Sequence, residues 1–132
     1  MAGTLKINWS FTARIDGGPQ VSESQPVLEV AAYDYVKQTL LPPVAPATST
    51  TADVNLVAGA NPQMIAILAS KYSDKVTYEV DGAAPDHVLD APHLFVGVGA
   101  VAYMGSANPK KLTFTNKSTD TITLQVFVGR PA

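Results

Sequence analysis

From Leu5 to Ile15 the chain alternates without a break. Leu5, Ile7, Trp9, Phe11, Ala13 and Ile15 hold the odd positions, and Lys6, Asn8, Ser10, Thr12 and Arg14 hold the even ones. A side-chain period of two belongs to the β-strand, so this segment reads as a strand with one apolar face and one wet face. Gly17, Gly18 and Pro19 follow at once, supplying the positive-φ tolerance and the fixed φ of a turn. The chain is therefore expected to reverse into a second strand near Val21 to Ala32. Pro26 cannot donate to a ladder, which puts it on an edge or at a bulge. The apolar stripe, Trp9 included, is expected to lie in the core.

The same grammar continues to the far end. Tyr33 to Leu41 fits a strand or a single helical turn, with strand preferred. Leu41 to Thr51 carries three prolines and a run of Ser and Thr, a composition that breaks a ladder. Val54 to Val57 reads as a short strand, and Met64 to Ser70 as a fully buried one, because its apolar run is continuous. Lys75 to Val80 is followed by Asp81-Gly82, a strong hairpin signal. Ala83 to His93 reads as a loop holding Pro85 and Pro92, and Leu94 to Tyr103 as a strand spaced by Gly97 and Gly99. Leu112 to Asn116 and Ile122 to Val128 alternate again, joined by a turn at Lys117 to Asp120. About eight mostly antiparallel strands with no amphipathic helix describe an all-β sandwich. At 132 residues, residues 1–132 are expected to form one domain.

Composition removes several function classes. Only 15% of residues are charged, against ~25% in an average globular protein, so much of the surface is small and polar, which suits packing against neighbours. The net charge is −2 and only Lys110 and Lys111 are adjacent basic residues; no basic stripe exists to track nucleic acid. Cysteine is absent, which excludes disulfides, thiolate zinc sites and thiol nucleophiles. Met1 to Ser10 lacks the apolar run of a signal peptide, so the mature chain is expected to start here. The weakly polar stretch Leu94 to Gly105 is shorter than the ~20 residues a membrane-spanning helix needs, and no membrane partner is expected.

Asp81, Asp86, His87, Asp90 and His93 gather both histidines with three carboxylates, and imidazole with carboxylate is ordinary metal-ligand chemistry. His87, Asp90 and His93 are the residues that would hold a metal. Their spacing matches no established motif and Pro85 and Pro92 mark a solvated loop, so no metal and no cofactor is expected. No Gly-x-Ser-x-Gly elbow occurs, and carboxylate pairs drawn from Glu23, Glu29 or Glu79 are what any chain of this length offers; the chain is not expected to be an enzyme. Gly97-Val98-Gly99 lacks the following helix that a phosphate loop needs, since Val101 to Tyr103 reads as strand. Trp9, Tyr33, Tyr35, Tyr72, Tyr78 and Tyr103 form either core or a sugar-stacking platform, with core the stronger reading.

The cysteine-free, Ala/Val/Thr/Gly-rich composition, the segment Lys75-Val-Thr-Tyr-Glu-Val-Asp-Gly82 and the ending Leu112-Thr-Phe-Thr-Asn116 to Ile122-Thr-Leu-Gln-Val-Phe-Val-Gly-Arg130 together resemble small bacteriophage virion proteins of jelly-roll or β-sandwich type. The capsid decoration, or cement, proteins are the nearest class. The resemblance implies a jelly-roll-like sandwich, made in the host cytoplasm and placed on the capsid surface of the virion. It implies a homo-oligomer, a trimer by preference, whose partner is the major capsid protein or another virion protein. Tail, neck and fibre components use similar folds, and a carbohydrate-binding β-sandwich module is the alternative of another class. Within that frame the proline-rich loop is the expected contact arm, through Leu41, Pro42, Pro43, Val44 and Pro46, because proline lowers the ordering cost of an extended segment; a mobile surface loop is the other reading.

Overall fold

A computed structural model describes residues 5–30, 32–56 and 59–130. In chain order the strands are β1 (Leu5–Arg14), β2 (Gln20–Val30), β3 (Ala32–Leu40), β4 (Thr50–Asn55), β5 (Met64–Ala69), β6 (Val76–Val80), β7 (Ala83–Val88) and β8 (His93–Val96). A short helix, α1 (Val98–Ala102), precedes β9 (Lys111–Asn116) and β10 (Ile122–Arg130). Among the described residues no helix is long and apolar enough to cross a membrane.

Eight of these strands form two four-stranded antiparallel sheets, ordered β3-β10-β5-β8 and β4-β9-β6-β7. The pairing has a simple origin. β6 pairs with β7, β5 with β8, β4 with β9 and β3 with β10, so the chain from residue 32 to 130 is one long hairpin rolled into two layers. Successive strands go to opposite sheets except β6 and β7, which are neighbours in one sheet, and this is the jelly roll. The fold-back of the long hairpin is the Asp81-Gly82 turn, with φ of 54° and 71°; two consecutive positive φ values are what a tight two-residue β-hairpin turn requires. Asp81 tolerates that conformation because its Oδ1 accepts the backbone N–H groups of Lys110 at 2.8 Å and Lys111 at 2.9 Å.

The core fills the space between the sheets. Ile122, Leu124, Val126 and Val128 of β10 face Ile65 and Ile67 of β5 on one side, and Val76, Tyr78, Leu112 and Phe114 come from the other sheet. All are essentially inaccessible to solvent. Burying each such side chain stabilises the fold by about 1.5–3 kcal/mol, and burial alternates residue by residue through β9 and through β10 from Ile122 to Val128.

Three expectations are corrected. Residues Ala83 to Val88 are an edge strand and not a loop; β7 is paired on one side only, the position in a sheet where Pro85 is tolerated. Residues Val98 to Ala102 are helical and not extended. Gly97, at φ 99°, breaks the strand, and a single turn lets Val101 and Met104, three apart, both enter the core. Finally, none of the described side chains of the opening strand belongs to the core. β1 and β2 pair with each other in register from Leu5↔Val30 to Arg14↔Gln20, and the hairpin has no substantial packing against the rest of the described chain. Phe11, Ile15 and Val21 are half or more exposed. The side chain of Trp9, assigned to the core from sequence, lies outside the described side chains. Opposite Asn8, two residues of β2, Pro26 and Val27, take one place in the register, the bulge expected of that proline.

Candidate interaction surface

The two sheets turn very different outer faces outward. On the β4-β9-β6-β7 sheet the residues alternating with the core positions are mostly polar, including Asp53, Thr113, Thr115, Thr77 and Glu79, with Val88 on the edge strand an exposed apolar exception. Such a face is at ease in water. On the β3-β10-β5-β8 sheet the register carries Tyr33, Tyr35 and Lys37 of β3, Thr123, Gln125 and Phe127 of β10, Ala66 and Leu68 of β5, and Leu94 of β8 to the outside. Tyr33 is 57% exposed and Tyr35 53% exposed. Leu68 and Leu94 are exposed as well, and Tyr33 stacks on Phe127 with ring centroids 6.0 Å apart. A cleft of about 320 Å³ runs between Lys37 and Leu68 over Thr123 and Gln125. Contiguous aromatic and aliphatic surface of this kind marks an interaction site.

Met64 to Ser70 is apolar at every β5 position, a continuous run that predicts a strand covered on both faces. Ile65 and Ile67 are covered; Leu68 is not. Likewise Val126, Phe127 and Val128 break the alternation of β10, with Phe127 on the outer side. Both runs describe a sheet with apolar residues on two faces, of which the outer one is left partly uncovered at Leu68 and Phe127.

The two histidines serve the interior. The hydroxyl of Tyr78 lies 2.6 Å from Nδ1 of His93, joining β6 of one sheet to β8 of the other. His87 stacks on the Tyr78 ring at 5.0 Å and its Nε2–H donates to the carbonyl of Met104 at 3.0 Å. Burial pushes the Tyr78 phenol well above the ordinary tyrosine range, so it keeps its proton and donates to His93. Burial is also the main reason that His93 is held below its ordinary value, with His87 adding to the effect and Asp90 and the Val88 backbone opposing it. The three metal-candidate residues are thus not gathered as a ligand set: His87 is on β7, His93 on β8, and one nitrogen of each ring is engaged by protein. Among the described residues no group of three His, Cys, Asp or Glu is placed to hold a metal ion.

The tyrosines divide. Tyr78 is core, and Tyr72 is half-buried with its hydroxyl accepting the Ala69 N–H at 3.1 Å. Tyr33 and Tyr35 are exposed side by side, and Tyr103 stands alone after α1. The proline-rich segment connects β3 to β4 and so passes from one sheet to the other. Thr50 Oγ1 donates to the Leu41 carbonyl and the Ala47 N–H to that of Val44, which fixes the loop at its neck and tip. Leu41 and Val44 project into solvent, Pro42 and Pro43 are half-buried, and Pro46 is exposed.

No family model, curated protein sequence or solved structure matches this chain.

Proposed function

We propose that this protein is a structural subunit of a bacteriophage virion, a capsid decoration protein that stabilises the shell by bridging neighbouring capsid subunits. The observation that carries the reading is the aromatic outer face of the β3-β10-β5-β8 sheet. A surface with one solvated face and one apolar face is that of a part designed to be covered. The loop from Leu41 to Pro46, with Leu41 and Val44 exposed, supplies a second contact, and weak contacts repeated over a lattice gain from effective concentration. The family resemblance names the major capsid protein as the partner and a homo-oligomer, a trimer, as the bound form. Mixing the purified protein with expanded, undecorated shells and sedimenting them tests this: saturable co-sedimentation is expected, weakened by Val44→Asp. Failure to bind shells, together with absence from purified particles, overturns it.

One observation favours a second reading. Tyr33 and Tyr35 are exposed on the same side of one strand, a spacing of about 6.8 Å that is suited to stacking on successive sugar rings. In that reading the protein is a carbohydrate-binding module, and a glycan array shows binding lost in Tyr33→Ala and Tyr35→Ala. An array without any signal removes it.

A further inference from the structure

We propose that the β1–β2 hairpin is an exchange arm, whose apolar face lies along β3 and β10 on the outer face of the β3-β10-β5-β8 sheet of a second copy of this chain. The inference rests on the assembly role proposed above and names the contact that builds the oligomer.

Two unpartnered apolar surfaces sit on one polypeptide. The arm presents Phe11 and Val21, both half or more exposed, and the sheet presents Tyr35, Phe127, Leu68 and Leu94. They match in size. Ten residues of β1 extend about 34 Å and a two-stranded ribbon is about 10 Å wide. β3 and β10 have nine residues each and form a ribbon of about 30 Å by the same rise. The cleft between Lys37 and Leu68, floored by Thr123 and Gln125, lies at the Ile122 end of β10 and gives one end of the arm a furrow to lie in.

Among the described residues the hairpin makes no substantial contact with this face of its own chain, and a second copy is the occupant that the matching dimensions favour. In a closed oligomer each chain gives one arm and receives one. Each of the two contacts covers roughly 300 Å², so a chain buries on the order of 600 Å², the lower bound per partner for a specific interface. The contact is heterologous, arm to face, so it closes as a reciprocal pair or as a ring.

Size-exclusion chromatography with light scattering on the full-length protein, with complementation between variants, decides the matter. The wild type is expected as a closed oligomer. Phe11→Asp with Val21→Asp in the arm, and separately Tyr35→Asp with Leu68→Asp on the face, are each expected to give folded monomers with self-association weakened roughly a hundredfold. All four positions are exposed, and an unchanged circular dichroism spectrum confirms that both variants fold. Mixing the two variants is the discriminating step. The arm variant keeps an intact face and the face variant an intact arm, so the mixture regains one of the two contacts and is expected to associate more strongly than either variant alone and less strongly than the wild type. A monomeric wild type, an oligomer indifferent to the arm substitutions, or a mixture that associates no more than the separate variants overturns the arm exchange. Shell binding by a monomer would preserve the decoration role while ending this inference, and an arm-exchanged oligomer that ignores shells would do the reverse.

Discussion

At the scale of single residues, the pair Tyr78 and His93 shows how an inward-facing polar contact becomes a pH-sensitive one. The phenol keeps its proton because it is buried, and the imidazole Nδ1 accepts it while staying neutral. In the unfolded chain the same imidazole takes up a proton as pH falls past about 6.5. In the native chain it resists, so over that window the unfolded state binds more protons and stability falls with acidification. The loss levels off once native His93 itself protonates. Urea midpoints measured from about pH 8 down to about pH 5 are expected to decline through this range, and to decline less in His93→Gln. An equal slope in both proteins would overturn the assignment to His93. The histidines were noticed in the sequence as metal candidates because they sit among carboxylates. Their real partners, Tyr78 and the Met104 carbonyl, lie 15 and 17 positions away and become neighbours only through strand pairing.

At the scale of elements, β1–β2 and β5 contrast most sharply. Both are rich in apolar residues, yet β5 lies between two strands and the hairpin stands apart. Ile67→Ala is expected to cost about 2–5 kcal/mol through lost burial and a residual cavity. Phe11→Ala is expected to change monomer stability by less than about 0.5 kcal/mol, as an exposed substitution does. Chemical denaturation of dilute protein, where self-association is minimal, checks both; a large cost at Phe11 would mean that the arm packs on its own body. These elements also show what was legible from sequence. Strand type, the turns at Gly17 and Asp81, the bulge at Pro26 and the sandwich itself follow from periodicity and from backbone-restricted residues. The destination of an apolar face does not, because alternation says that Phe11 and Ile15 share a side and says nothing about what covers it. For Val98 to Ala102 the small and β-branched residues fit helix or strand, and Gly97 with the buried pair Val101 and Met104 decided the outcome through tertiary packing.

At the scale of the whole molecule, the rolled hairpin arranges its contacts by sequence distance. β6 and β7 are joined by two residues, whereas β3 and β10 close a loop of some eighty. Closing a longer loop costs more chain entropy, and folds dominated by remote pairings fold slowly. The expected order runs outward from the Asp81-Gly82 turn like a zip whose slider starts in the middle of the tape. Asp81→Ala, which removes the hydrogen bonds to Lys110 and Lys111, is expected to slow folding in proportion to its loss of stability. Val36→Ala at the far end of the zip should mainly speed unfolding. Stopped-flow chevrons of the two variants distinguish these outcomes, and equal partition in both would indicate a diffuse nucleus. A consequence reaches into biosynthesis: a ribosome releases β3 long before β10 exists, so the aromatic sheet face stays incomplete until the last strand emerges. A chain that assembles through that face is thereby kept from joining its neighbours before it is finished.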